Sequence, residues 1–83
     1  MKHFEYTPMG VCSVLISFDL DEENKIHNLS FTGGCNGNLK AIGLLCEGKD
    51  AEEIEKILKG NTCRTMNTSC ADQLSKALHK ALN

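Results

Sequence analysis

Except at Leu15, residues 12–20 alternate between apolar and polar side chains, a pattern typical of a half-buried β-strand. Its apolar face carries Cys12, Val14, Ile16, Phe18 and Leu20. Polar residues 21–24 predict a turn, and residues 25–32 predict a returning strand. On that strand we expect His27, Leu29 and Phe31 to share one face. A shorter strand is predicted at residues 3–7, ending before Pro8.

The second half of the chain shows helical spacing. From Asn38 onward, Leu39, Ile42 and Cys46 form one apolar stripe, and Gly48 suits the end of that helix. A second helix is predicted after Asp50, which forms a capping pattern with Glu53, and it closes at Gly60.

The last helix begins at a second capping pattern, formed by Ser69 and Asp72. Its apolar stripe consists of Leu74, Ala77, Leu78, Ala81 and Leu82. The 83 residues are enough for one domain with one modest core, which we place at residues 1–83. The predicted fold class is α+β, with a small antiparallel sheet of about three strands followed by three helices packed on one face.

Composition excludes several classes of partner. The formal net charge is -2, and the lysines are interspersed with acidic residues, so we expect no nucleic-acid binding. No apolar run approaches the roughly 20 residues that a membrane span needs. The first residues, Met1 to Glu5, lack the apolar core of a signal peptide. We therefore expect a cytoplasmic protein.

The unusual feature of the composition is its five cysteines. They are Cys12, Cys35, Cys46, Cys63 and Cys70. In a reducing cytosol they should be thiols, and their odd number further disfavours a disulfide framework. Metal binding, redox chemistry and simple core filling are the three explanations to separate.

Three of these thiols are predicted to lie at element boundaries and Cys12 near the start of its strand, and such positions can converge on one corner. If Leu20 and Lys25 flank the turn, Cys12 lies opposite about Gly33, and Cys35 follows just beyond. Cys70 falls in the first turn of the last helix, where backbone N–H groups and the helix dipole favour a thiolate. Cys63 lies in the loop before that helix.

The remaining thiol, Cys46, lies on the apolar stripe of the first helix, and we expect it to fill the core. Spacing alone is a weak signal for metal, because no C-x2-C pair occurs. The segment from Gly33 to Asn38 can be an anion cradle or simply a tight strand-to-helix turn. No Ser/His/Asp set or carboxylate pair is evident. His3 and His27 are expected to be structural and His79 to be solvated.

With the last helix beginning Thr68-Ser69-Cys70-Ala71-Asp72-Gln73-Leu74, the chain resembles the TSCPD domain family, named for that motif. The likeness extends to Gly10-Val11-Cys12-Ser13, to Gly33-Gly34-Cys35-Asn36-Gly37-Asn38 and to Cys63. Ala71 stands where the motif has proline, and both residues suit the first turn of a helix. The domain also occurs at the C-terminus of some adenosylcobalamin-dependent ribonucleotide reductases. The resemblance therefore implies a link to ribonucleoside-diphosphate reductase and deoxynucleotide synthesis, although no complete active site is evident on this chain.

A weaker similarity is to the NifU/IscU iron–sulfur scaffold proteins. Cys12, Cys35 and Cys70 correspond to their cysteines at the start of a strand, in a glycine turn and at the start of the last helix. Val14 stands where the scaffolds have Asp, so the resemblance implies a shared fold and thiol corner rather than cluster assembly.

Three functions remain open. In the first, Cys12, Cys35, Cys63 and Cys70 are thiolate ligands of zinc or an iron–sulfur centre. In the second, Cys63 and Cys70 exchange disulfides with a reductase. In the third, the chain is an interaction domain with incidental thiols. A ribonucleotide reductase is the partner that the resemblance implies.

Overall fold

The computed structural model describes residues 1–9, 13–33, 36–60 and 69–83. Within these residues, three strands precede three helices along the chain. The strands are β1 (Lys2–Tyr6), β2 (Ser13–Leu20) and β3 (Ile26–Gly33). The helices are α1 (Asn36–Cys46), α2 (Ala51–Leu58) and α3 (Cys70–Leu82). The predicted α+β class is confirmed.

The strands form one antiparallel sheet in the order β1-β2-β3. Along β2 the side chains alternate as the pattern predicts, with Ile16, Phe18 and Leu20 buried. On the opposite face of the sheet, the hydroxyls of Ser17 and Ser30 lie 2.8 Å apart. The sheet therefore has one face in the core and one polar face.

The register of the β2–β3 hairpin differs from the prediction. Leu20 pairs with Ile26 rather than with Lys25, and Ser13 is the residue opposite Gly33. The register shifts again between Ser17 and Asp19, where β3 carries an extra residue around Asn28, whose φ is 56°. An extra residue of this kind is a β-bulge, and Asn tolerates the left-handed conformation better than most residues.

Because of the bulge, the prediction that His27, Leu29 and Phe31 share one face of β3 is wrong. Ile26 and Leu29 are both buried although they are three residues apart, while His27 is only half-buried. Strict alternation would have placed His27 with Leu29. The left-handed residue at Asn28 breaks the period of two and returns Leu29 and Phe31 to the side of the core.

Helices α2 and α3 begin at the capping residues that the sequence predicts. The Asp50 carboxylate accepts a hydrogen bond from the Glu53 amide at 3.1 Å, and the Ser69 hydroxyl accepts one from the Asp72 amide at 3.1 Å. Gly48 and Gly60, which follow α1 and α2, have φ values of 75° and 78°. Glycine is favoured there because a side chain is strained in that conformation.

The core is formed where the helices cover the buried face of the sheet. Its largest fully buried side chains are Ile16, Phe18, Ile26, Leu74 and Leu78. Helix α1 approaches β3 so closely at Gly43 that a Cβ there would lie 2.8 Å from the carbonyl oxygen of Leu29. Among the described residues, no helix is long and apolar enough to cross a membrane.

The turn end of the hairpin is tied to the connection between α1 and α2. Ile26 donates to the Lys49 carbonyl at 2.8 Å and accepts from the Gly48 amide at 2.7 Å. Beside these backbone bonds, His27 bridges two carboxylates, with Nδ1 2.6 Å from Glu47 and Nε2 2.8 Å from Asp21. The prediction that His27 is structural is consistent with this bridge.

We predict that Gly43→Ala destabilises the fold by about 1–3 kcal/mol, because the new Cβ meets a backbone atom that cannot rotate away. In an unobstructed helix the same change stabilises by roughly 0.5–1 kcal/mol, so the sign of the effect is diagnostic. Urea unfolding followed by circular dichroism measures it, with the exposed Lys40→Ala as the control on the same helix. A Gly43→Ala protein as stable as the parent would contradict the close approach.

We predict that stability declines as the pH rises through neutrality. Hydrogen bonds to Asp21 and then Glu47 raise the pKa of His27 above 6.5, so its contribution is complete below pH 6.5 and is lost as the pH rises through the folded-state pKa. The pKa of His3 is raised too, chiefly by Asp19. Urea midpoints measured from pH 5 to 8 should show a smaller slope for His27→Gln and the smallest for the double variant with His3→Gln. An unchanged slope in the double variant would contradict the assignment.

Candidate functional site

Cys70 is the first residue of α3 and is half-buried. The preceding residue, Ser69, has an extended backbone with φ -148° and ψ 172°, and its carbonyl accepts the Gln73 amide at 2.8 Å. Together with the hydroxyl bond to the Asp72 amide, this anchors the first turn. The predicted place of Cys70, in the first turn of a capped helix, is confirmed.

A hydrogen bond from a distant segment ends on the same turn. The Met9 amide donates to the Gln73 side-chain oxygen at 3.1 Å. Gln73 is 3% exposed, so this acceptor is inside the protein. Met9 precedes Cys12 by three residues in the sequence, and Gln73 follows Cys70 by three. Residues three apart are neighbours on a helix surface. The described part of the N-terminal segment is therefore held beside the turn that carries Cys70.

The segment after α2 is bound to the same turn from another direction. The Gly60 amide donates to the Asp72 carboxylate at 2.8 Å, and the Lys76 ammonium lies 3.8 Å from the second carboxylate oxygen. Asp72 is 5% exposed. Gly60 precedes Cys63 by three residues in the sequence. Two segments that lead toward cysteines are thus hydrogen-bonded to adjacent residues of α3.

The hairpin end far from the turn closes with the pair Ser13 and Gly33. Cys12 directly precedes the first of these residues, and Cys35 follows the second by two positions. Cys12, Cys35 and Cys63 themselves lie outside the described residues, so a site shared with Cys70 stays a prediction. The predicted anion cradle at residues 33–38 also lies partly outside them.

Cys46 is in a different environment. It is 4% exposed, belongs to the main hydrophobic cluster, and its burial raises the pKa of its thiol above 9.0. It ends α1 next to Gly48 and Lys49, which are bonded to Ile26 at the turn end of the hairpin. The prediction that Cys46 fills the core is confirmed, and its raised pKa disfavours reactivity.

No set of three His, Cys, Asp or Glu side chains within the described ranges could hold a metal ion. The histidines are hydrogen-bonded to carboxylates instead. His3 lies 2.7 Å from Asp19 and 3.2 Å from Glu5. His79, expected to be only solvated, lies 3.0 Å from Glu55 and so joins α3 to α2. That contact was not predictable, because it depends on how the two helices pack.

The role of Gln73 as a long-range acceptor was not among the predictions. A signal was present, because Gln73 lies four residues before Ala77 and so shares the apolar stripe of α3. A polar side chain on an apolar stripe implies a buried hydrogen-bonding partner. The identity of the partner, Met9, could not be inferred from spacing.

These features define a small α+β protein in which a three-stranded antiparallel sheet is followed by helices, with a cysteine at the capped start of the last one. The model of the TSCPD domain family matches residues 1–82, and the chain belongs to this family. Neither a curated protein nor a solved structure gives a significant match. The similarity to NifU/IscU scaffolds therefore stays a prediction.

We predict that Cys46→Ala costs about 1 kcal/mol of stability and leaves any bound metal in place. The change removes a small buried group from the main hydrophobic cluster. Urea unfolding gives the stability, and the metal content per folded chain gives the second quantity. Loss of metal from a folded Cys46→Ala protein would show that Cys46 is wrongly assigned to the core rather than to the metal site.

Proposed function

We propose that this protein is a cysteine-based metal-binding module in which Cys12, Cys35, Cys63 and Cys70 hold zinc or an iron–sulfur centre. Four thiolates suit either group. The TSCPD domain is linked to ribonucleotide reductases. We accordingly propose a reductase, or an assembly that serves one, as the partner, and the cytoplasm as the compartment.

The observation that carries the proposal is the meeting of separate chain segments at the first turn of α3. Met9 is bound to Gln73 and Gly60 to Asp72, beside Cys70. These two segments are followed within three residues by Cys12 and Cys63. A tetrahedral zinc site with Zn–S bonds of about 2.3 Å needs its sulfurs within roughly 4 Å of one another. Convergence of segments from distant parts of the chain is what such a site requires.

The dipole of α3 supports a ligand role for Cys70. Backbone N–H groups at a helix start stabilise a nearby thiolate, and thiolate is the form that binds metal. The same form is the nucleophile in disulfide exchange, so the half-buried position of Cys70 also favours the redox alternative, with Cys63 as its partner. Metal content and disulfide content separate these two functions.

The test is metal analysis of protein purified without oxygen, combined with thiol mapping. Each of the five cysteines falls on its own tryptic peptide, so alkylation can be followed thiol by thiol. About one zinc per chain, or the iron and sulfide of one iron–sulfur centre, with four protected thiols supports the proposal. Absence of metal, with a reversible Cys63–Cys70 disulfide, supports the redox function. If the protein contains neither metal nor such a disulfide, the interaction domain is the function that is supported.

We predict that Cys70→Ser weakens metal binding sharply while the protein stays folded. Serine has nearly the same size, and Ser69 continues to cap the helix. A chelator competition titration measures affinity, and circular dichroism measures folding. Cys46→Ala is the matched control, since it removes a thiol from the core instead. A folded Cys70→Ser protein that binds metal like the parent and shows unchanged thiol chemistry would defeat both functions.

A further inference from the structure

Two adjacent polar side chains on α3 are buried in a helix whose other buried residues, apart from Ser75, are apolar. Asp72 and Gln73 are 5% and 3% exposed, and they lie between the buried Ala71 and Leu74. Burying a carboxylate and a carboxamide costs free energy unless both are hydrogen-bonded. Asp72 and Gln73 therefore need hydrogen-bond donors from the segments that pack against α3.

Both side chains accept hydrogen bonds from backbone amides outside the helices and strands. Gln73 accepts from Met9, and Asp72 accepts from Gly60. Because a backbone amide moves with its whole segment, each bond determines where that segment lies relative to α3. The two bonds hold both segments at the turn that begins with Cys70.

Helix stability does not require this arrangement. Ser69 caps the first turn through its hydroxyl, and the apolar stripe supplies the burial of α3. A leucine in place of Gln73 would bury more apolar surface and would need no partner. Ser75 offers the contrast, because it is 2% exposed but its hydroxyl donates to the Asp72 carbonyl inside the same helix, at 2.7 Å.

We propose that Asp72 and Gln73 are positioning residues, which clamp the segments at Gly60 and Met9 onto the first turn of α3 and so shape the surroundings of Cys70. The expected effect on metal affinity rests on the proposed function, whereas the clamping of the two segments does not depend on it. Residues that orient ligands without binding the metal typically change metal affinity about 10–100-fold when they are substituted.

The test compares Gln73→Leu, which removes the acceptor, with Gln73→Glu, which keeps an acceptor oxygen in the same place. Ser75→Ala is the control for loss of a buried polar group on α3. Three quantities are measured on the full chain: zinc affinity by chelator competition, hydrogen exchange of the Met9 amide, and alkylation of Cys70 on the tryptic peptide of residues 65–76. Should Gln73→Leu fail to fold, the flexible Gln73→Met replaces it.

For Gln73→Leu we expect zinc affinity to fall about 10–100-fold, the Met9 amide to lose protection and Cys70 to react faster, all in a folded protein. Ser75→Ala should match the parent in all three, and Gln73→Glu, which keeps the acceptor oxygen, should keep the Met9 amide protected. Asp72→Ala should have the same effects, with the Gly60 amide losing protection in place of the Met9 amide. If the parent binds neither zinc nor an iron–sulfur centre, the proposed function fails, and amide exchange and Cys70 alkylation alone decide the clamp. A folded Gln73→Leu protein that matches the parent in those two measurements overturns it.

Discussion

The carboxamide of Gln73 accepts a hydrogen bond from the Met9 amide and so joins residues 64 apart in the chain. Apolar packing of Leu74 and Leu78 brings α3 onto the sheet, but such packing is not directional. A buried acceptor is directional, because it must find its donor at one distance and angle. Together with the bond from Gly60 to Asp72, it sets how the start of α3 faces its neighbours.

The two ends of the hairpin are held by different kinds of interaction. At the turn end, backbone bonds between Ile26 and the α1–α2 connection are reinforced by the ionic bridge of His27 with Asp21 and Glu47. Cys46 lies near this end, inside the core. The other end, from Ser13 and Gly33, leads in the sequence to Cys12 and Cys35. Chemistry proposed at the second end is therefore separated from the interactions that stabilise the first.

Local patterns predicted the elements well, because each pattern records an interaction between residues close in sequence. Alternation located β2, and the pairs Asp50–Glu53 and Ser69–Asp72 located the starts of two helices. The predicted hairpin register was already wrong at the turn, where Leu20 pairs with Ile26, and Asn28 shifts it again by adopting a left-handed conformation that the alternation does not reveal. A bulge is favoured by the surrounding strands and by the Glu47 carboxylate, which accepts the Asn28 amide at 2.9 Å.

The sequence by itself determined the α+β order, the membership of the TSCPD family, the core position of Cys46 and the place of Cys70 at a helix start. Periodicity, caps and a motif are all local, so one chain suffices to recognise them. Only the tertiary structure decided that Gln73 meets Met9, that Asp72 meets Gly60 and that His79 meets Glu55. Those pairs depend on how whole elements pack against each other, and that packing is the sum of many contacts distant in sequence.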